Sequence, residues 1–151
     1  IFTQFKVMGS LLKTHFENVH GHPVLFLHGG ISQTERDRMV TEFQESKPDG
    51  PKLFVLSLKA GGTGLNLTSA SYVVIYDPWW NPAVEAQAID RTHRIGQTAT
   101  VNAYKMISPG TVEEKIWDLQ QRKAKTISDV LGEDGFAKGL TTNDLEYLFS
   151  D

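Results

Sequence analysis

Cysteine is missing from the 151-residue chain, so a disulfide framework, a thiolate zinc site and a cysteine nucleophile are all excluded. That absence is compatible with a reducing compartment. Long hydrophobic runs are missing too. The longest apolar stretches, such as Tyr72 to Tyr76, are far shorter than the ~18–20 residues of a membrane span, and nothing at the N-terminus reads as a signal peptide. Membrane insertion is therefore not expected. An excess of positive charge is lacking, since 15 Lys and Arg stand against 18 Asp and Glu, a net charge of −3. Any contact with nucleic acid must then use a local basic strip rather than the whole surface. Proline is scarce, at 6 residues, and 40% of the chain is apolar against 22% charged, which argues against a disordered or low-complexity protein. The length predicts one domain that buries roughly 68–70% of its unfolded surface. No internal repeat is visible.

What is present is an alternation of short β-branched or aromatic runs with longer amphipathic ones. Ile1 to Phe5 reads as a strand that begins abruptly at the first residue, which suggests further sequence on its N-terminal side. A helix follows around Met8 to Val19, then a strand from Pro23 to His28. Ser32-Gln33-Thr34-Glu35 is a capping box opening a helix to about Glu45. Lys47-Pro48-Asp49-Gly50-Pro51 is a turn, Lys52 to Leu58 a strand, and Ala60-Gly61-Gly62-Thr63-Gly64 a glycine-rich loop. Tyr72 to Tyr76 is the fourth strand. It runs into Asp77-Pro78-Trp79-Trp80-Asn81-Pro82, where Asn81 caps a helix, with Pro82 at its first position, that should reach about His93. Val101 to Ile107 is the fifth strand. Thr111-Val112-Glu113-Glu114 is a second capping box, starting a helix of about 20 residues with Val112, Ile116, Leu119, Ile127 and Val130 on one stripe. After Gly132 the tail is polar, and Thr142 to Phe149 adds a short helix. Strands alternating with helices at this spacing imply a parallel sheet covered on both faces, with ligands bound outside the carboxyl ends of the strands.

The glycine loop lies at such an end, but it matches neither phosphate-binding fingerprint. A P-loop requires Gly-Lys-Ser/Thr, which occurs nowhere in the chain, and a dinucleotide fingerprint requires a third glycine where Leu67 stands. On spacing alone, a tight structural turn and a loop that contacts phosphate remain equally open. Gln87 to Arg94 forms the second constellation. Arg91 and Arg94 are three apart, so on a helix they share a face and aim two guanidinium groups at one anion. Guanidinium suits phosphoryl transfer because it stays charged and offers a rigid fork of donors to the γ-phosphate oxygens. The plainer alternative is a solvated basic helix end.

The order of these segments carries more than any one of them. Ile1-Phe2-Thr3-Gln4-Phe5, His28-Gly29-Gly30 with Gln33-Thr34-Glu35-Arg36, Ser57 through Gly64-Leu65-Asn66-Leu67, Asp77 through Pro82, and Gln87 through Arg94-Ile95-Gly96-Gln97 together resemble the second RecA-like lobe of Swi/Snf-family ATPases, within helicase superfamily two. Thr111 to Ile116 resembles the helix that braces that lobe. The resemblance covers nearly the whole chain, and Asp-Pro-Trp-Trp-Asn-Pro with Arg-Thr-His-Arg-Ile-Gly-Gln is its most specific part. It implies an α/β RecA-like lobe over residues 1–109, truncated at its first strand, with a mostly parallel sheet of five to six strands, and a C-terminal brace helix and tail over 110–151.

By the same resemblance Arg94 is the arginine finger, Arg91 a second γ-phosphate contact, and Gln87 a supporting residue of the ATP site. Gly64 and Asn66 fall on the motif that couples the nucleotide cleft to DNA. Ser57, Lys59, Gly61 and Gly62 are expected along the DNA backbone, where amides and a hydroxyl approach phosphates closely. Gln33 and Arg36 match a phosphate-contacting pair at a helix start, against the alternative of a solvated helix face, and Gln4 belongs to the fourth motif. Trp79 and Trp80 resemble packing residues rather than base-stacking ones, and His28 and His93 are expected to be structural. The implied cofactor is ATP with magnesium, whose ligands belong to a first lobe that this chain lacks. Double-stranded DNA and that first lobe are the implied partners, with nucleoprotein or RNA polymerase as remodelled targets. The location is then intracellular: cytoplasmic or nucleoid in a bacterium or archaeon, nuclear in a eukaryote. This half of a composite site should not hydrolyse ATP alone. The competing functions are a strand-separating helicase or a relative acting on stalled RNA polymerase, and a nucleotide-free interaction module on the same fold. A dinucleotide-dependent oxidoreductase is disfavoured by the missing third glycine.

Overall fold

The computed structural model describes residues 1–57, 65–92, 97, 99–127 and 140–150. Its elements are β1 (Phe2–Thr3), α1 (Lys6–His20), β2 (Val24–Leu27), α2 (Gln33–Gln44), β3 (Leu53–Ser57), β4 (Tyr72–Ile75), α3 (Pro82–Asp90), β5 (Asn102–Lys105), α4 (Val112–Ile127) and α5 (Thr142–Phe149). The five strands form one sheet in the order β2-β3-β1-β4-β5, and every pairing is parallel. The register sets Phe2 beside Leu56 and Ile75, and Thr3 beside Ser57.

Alternate strand residues serve two cores, which is why the central runs read as continuous apolar sequence. Val24, Phe26 and Val55 meet Met8, Leu12 and Phe16 of α1. Leu25, Leu27, Phe54, Leu56, Val73 and Ile75 face the other way, against Met39, Val40 and Phe43 of α2 and Val84, Ala88 and Ile89 of α3. Helices therefore cover both faces, as the alternation of elements predicts. α1 ends at Gly21, whose φ of 68° is the left-handed conformation a glycine adopts without strain.

Four sequence expectations are corrected in detail. β1 stops at Thr3 instead of Phe5, because the Asp77 carboxylate takes the Gln4 amide and the Thr3 hydroxyl (2.7 Å), and Phe5 N–H turns back to Thr3 Oγ1 (3.2 Å). α3 closes at Asp90 instead of running to His93. Its last turn tightens through Thr92 N–H to Ile89 O (3.0 Å), and the Thr92 hydroxyl takes the same carbonyl (2.7 Å). The capping box at Ser32 is half made: Ser32 Oγ accepts from Glu35 N–H (3.3 Å), but the Glu35 carboxylate is turned to Arg38. At α4, Thr111 Oγ1 accepts from Glu113 N–H (3.2 Å) and Glu114 reaches back to Gly110 N–H (2.8 Å).

The stripe of α4 also differs. Leu119 is buried against Leu148 of α5, with Ile116 and Leu140 beside them, whereas Val112 is 47% exposed. The Val130 end of the stripe lies outside the described residues, as do the side chains of 124–127. α5 begins with a complete capping box between Thr141 and Asp144, and Asp144 is also bound by Lys123 of α4 at 2.5 Å.

Candidate functional site

In a parallel sheet every strand delivers its carboxyl end to the same edge, and the loops there build the site. At the seam between β1 and β4, Gln4 Nε2 donates to Pro78 O at 2.6 Å, beside the Thr3–Asp77 bond. Gln4 thus holds the start of the tryptophan loop. Ser57 closes β3 and is 7% exposed, next to Thr3 in the ladder. The glycine loop that follows, with Lys59, Gly61, Gly62 and Gly64, lies outside the described residues.

Where the chain resumes at Leu65, the structure brings three of the expected residues together. Gln33 and Arg36, in the first turn of α2, line an open cleft of about 240 Å³ with Asn66, Leu65, Asp37, Val40 and Thr41. Gln33 Nε2 donates to Asp37 Oδ1 at 2.8 Å. Arg38, two residues beyond Arg36, is engaged on another face of the helix by Glu35 (2.7 Å) and Glu42 (3.0 Å). His28, at the end of β2, accepts from Gly30 N–H through Nδ1 (3.1 Å), and its pKa is lowered by burial and by the nearby Lys6 charge. That bond shapes the turn before α2.

The arginine end is fixed from both sides. Asn81 caps α3 by accepting from Ala83 N–H at 2.9 Å, with Pro82 in the first turn. At the other end Arg91 is 7% exposed, and its carbonyl accepts from Leu67 N–H at 3.0 Å. One residue past the cleft, the strand-β3 loop is therefore bonded to the arginine turn. Gln87 is exposed on α3. Arg94 and His93 lie outside the described residues, so the shared helix face proposed for Arg91 and Arg94 does too.

A buried polar cluster escaped the sequence reading. Glu85 of α3 is 4% exposed; one oxygen accepts from Trp79 N–H (2.7 Å) and the other pairs with Lys105 of β5. The Lys105 ammonium lies 4.5 Å from the centre of the Trp117 ring. Gln120 of α4, also 4% exposed, donates to Trp79 O (2.8 Å) and Trp80 O (2.9 Å). A clue was available: Glu85 is the lone charge within Pro82 to Ile89, an otherwise mostly apolar helix. The other members of the cluster, Lys105 and Gln120, lie 20 and 35 residues further along the chain and carry no local signal. Trp79 packs against the main core, as expected of a packing residue, while Trp80 is 40% exposed.

The helicase conserved C-terminal domain family matches residues 1–96. A Bacillus subtilis (strain 168) protein, YwqA, which carries the name of an ATP-dependent helicase/translocase, is 49% identical across 99% of this chain and 16% of its own length. The chain thus spans about one-sixth of that relative. Among solved structures, the Sulfolobus solfataricus SWI2/SNF2 ATPase core in complex with double-stranded DNA matches 97% of this chain and 30% of its own, with a TM-score of 0.75 and 41% identity. The C-terminal part of the Fun30 ATPase domain matches 97% of this chain and 44% of its own, with a TM-score of 0.76 and 31% identity.

Proposed function

The chain belongs to the helicase conserved C-terminal domain family, as a RecA-like lobe of the Swi2/Snf2 kind, and from that premise we propose that it is the second motor lobe of an ATP-dependent double-stranded DNA translocase. The observation that carries the reading is the Leu65–Leu67 segment. Asn66 lines the cleft with Gln33 and Arg36, and the next residue is hydrogen-bonded to Arg91. A displacement at the nucleotide end is thereby passed to the DNA end within two residues.

Residues 1–109 form the motor lobe and 110–151 its brace. Gln33 and Arg36 hold backbone phosphates in the cleft, Ser57, Lys59, Gly61 and Gly62 follow the same strand, and Gln4 sets the neighbouring loop. Such contacts position the duplex without reading its sequence. Arg94 is the arginine finger and Arg91 a second donor to the γ-phosphate, with Gln87 beside them and Gly64 and Asn66 linking nucleotide to DNA. ATP with magnesium supplies the transferable phosphoryl group. Magnesium coordination is assigned to the first RecA-like lobe, as the resemblance implies. This chain's part is to present guanidinium charge when the lobes close.

The test is ATP hydrolysis by the full-length parent, with and without duplex DNA, beside its Arg94→Ala variant. DNA-stimulated turnover that falls by ~10³–10⁵ in the variant is expected of a finger. Turnover unchanged by Arg94→Ala, or no turnover at all, would leave the fold serving as an interaction module.

A further inference from the structure

We propose that Gln120 is a positioning residue for the Arg91-bearing end of α3, so that the C-terminal helix α4, which lies beyond the matched domain, sets the direction of Arg91. The inference rests on the motor reading above. Gln120 is buried, and its amide is used on both sides: Nε2 donates to Trp79 O and Trp80 O, while Oε1 faces Lys105 Nζ at 3.5 Å. Those two carbonyls belong to the loop that delivers Asn81 and Pro82, the cap and first residue of α3. Glu85 fastens the same loop from inside α3 and is tied by Lys105 back to β5 and the Trp117 ring.

α3 has nine residues and a length of about 13 Å, short enough to move as one rod. Its start is held by the Gln120 and Glu85 contacts, and its end carries Arg91, bonded to Leu67. Val84, Ala88 and Ile89 seat the rod on the core, so releasing its start shifts it on that seat and misdirects the Arg91 guanidinium. A misplacement of about 1 Å at a reacting centre is worth roughly 100-fold in rate. Because the guanidinium contacts strengthen in the transition state, the loss falls on kcat rather than on ATP binding.

The experiment uses the full-length parent and compares wild type, Gln120→Met, Arg91→Ala and the double variant. Gln120→Met keeps the side-chain length and removes the donors. Its kcat is expected to fall by about tenfold or more, with the KM for ATP and the Kd for duplex DNA within about twofold. Adding it to Arg91→Ala is expected to cost little further, since Gln120 acts through the end of α3 that carries Arg91. Gln120→Glu is the second variant, in case Gln120→Met does not fold. It retains the Lys105 partner but sets a carboxylate against the two carbonyls, and should show the same selective loss. If wild type hydrolyses ATP and Arg91→Ala slows it measurably, yet folded Gln120 variants keep the wild-type kcat, raise KM instead, or add fully to Arg91→Ala, the positioning role is overturned and the motor reading stands. If wild type does not hydrolyse ATP, both fall.

Discussion

Arg36 and Arg38, on one helix, allow a paired test of the proposed phosphate cleft. Arg36 and Arg38 are two residues apart, a spacing that points them to different faces of α2. Arg36 lines the cleft with Gln33 and Asn66. Arg38 is committed to Glu35 and Glu42. If Arg36 neutralises one phosphate, Arg36→Gln should reduce the slope of log K against log salt by about 0.9. That slope corresponds to an affinity loss of about eightfold at 0.1 M salt, taking 1 M as the state without an electrostatic contribution. The gap between wild type and variant should narrow by about 3.5-fold between 50 and 200 mM salt. Arg38→Gln should leave the slope unchanged. Asp37, which lines the same cleft, brings a negative charge that opposes an anion there, so Asp37→Asn should tighten binding. Fluorescence anisotropy of a labelled duplex titrated with the full-length parent at four salt concentrations measures all three. Equal slope changes for Arg36→Gln and Arg38→Gln, or an Arg36→Gln line parallel to wild type, would refute the assignment of the cleft to phosphate.

Two further expectations concern the fold that carries this site. A Cβ on Gly9 would stand 2.3 and 2.4 Å from the Phe26 ring, so Gly9→Ala sets an overpacking cost of about 1–3 kcal/mol against a helix-propensity gain of about 1 kcal/mol. Urea unfolding should show a net loss near 1 kcal/mol that disappears in a Phe26→Leu background, and equal losses in both backgrounds would contradict the steric account. The Lys123 ammonium, then the Thr141 amide and hydroxyl, lower the Asp144 pKa from 3.8 to about 2. A depressed acid favours the fold above its ordinary pKa. The Asp144 contribution to holding α5 on α4 is therefore complete above about pH 4 and fades as pH falls toward 2. Carboxyl-carbon NMR of Asp144 checks the value directly, and Lys123→Met should move it back toward 3.8.

The parts of the molecule legible in the sequence are those fixed by neighbouring residues. Val24–Leu27 and Leu53–Leu56 announce doubly covered strands because nearly every residue is apolar, and Asn81-Pro82 announces a helix start because cap and first turn are adjacent. The limits of β1 were not legible: the group that ends it, Asp77, is 74 residues from Thr3. The exposure of Val112 was hidden for a related reason, since helical periodicity shows that α4 has an apolar stripe but not that its partner is Leu148 of α5. Within the site, residue order led to Gln33, Arg36 and Asn66, which the fold gathers into one cleft. The Glu85–Lys105–Gln120 cluster was invisible because ordinary polar residues acquire their meaning only when three distant segments are packed together.

The brevity of β1 has a mechanical meaning. Its two residues are the only strand joining the β2–β3 half of the sheet to the β4–β5 half among the described residues. Gln33 and Arg36 ride on the first half, Arg91 and Glu85 on the second. In the proposed translocase, a load applied at the duplex and resisted at the nucleotide would pull the halves apart across the strands, opening the ladder like a zipper, one hydrogen bond at a time. The Thr3–Asp77 and Gln4–Pro78 bonds stand at the end of that seam, where they act as rivets. On this account a few polar side chains at the tip of the shortest strand reinforce a seam that the apolar layer of Leu25, Leu27, Phe54, Leu56, Val73 and Ile75 also spans.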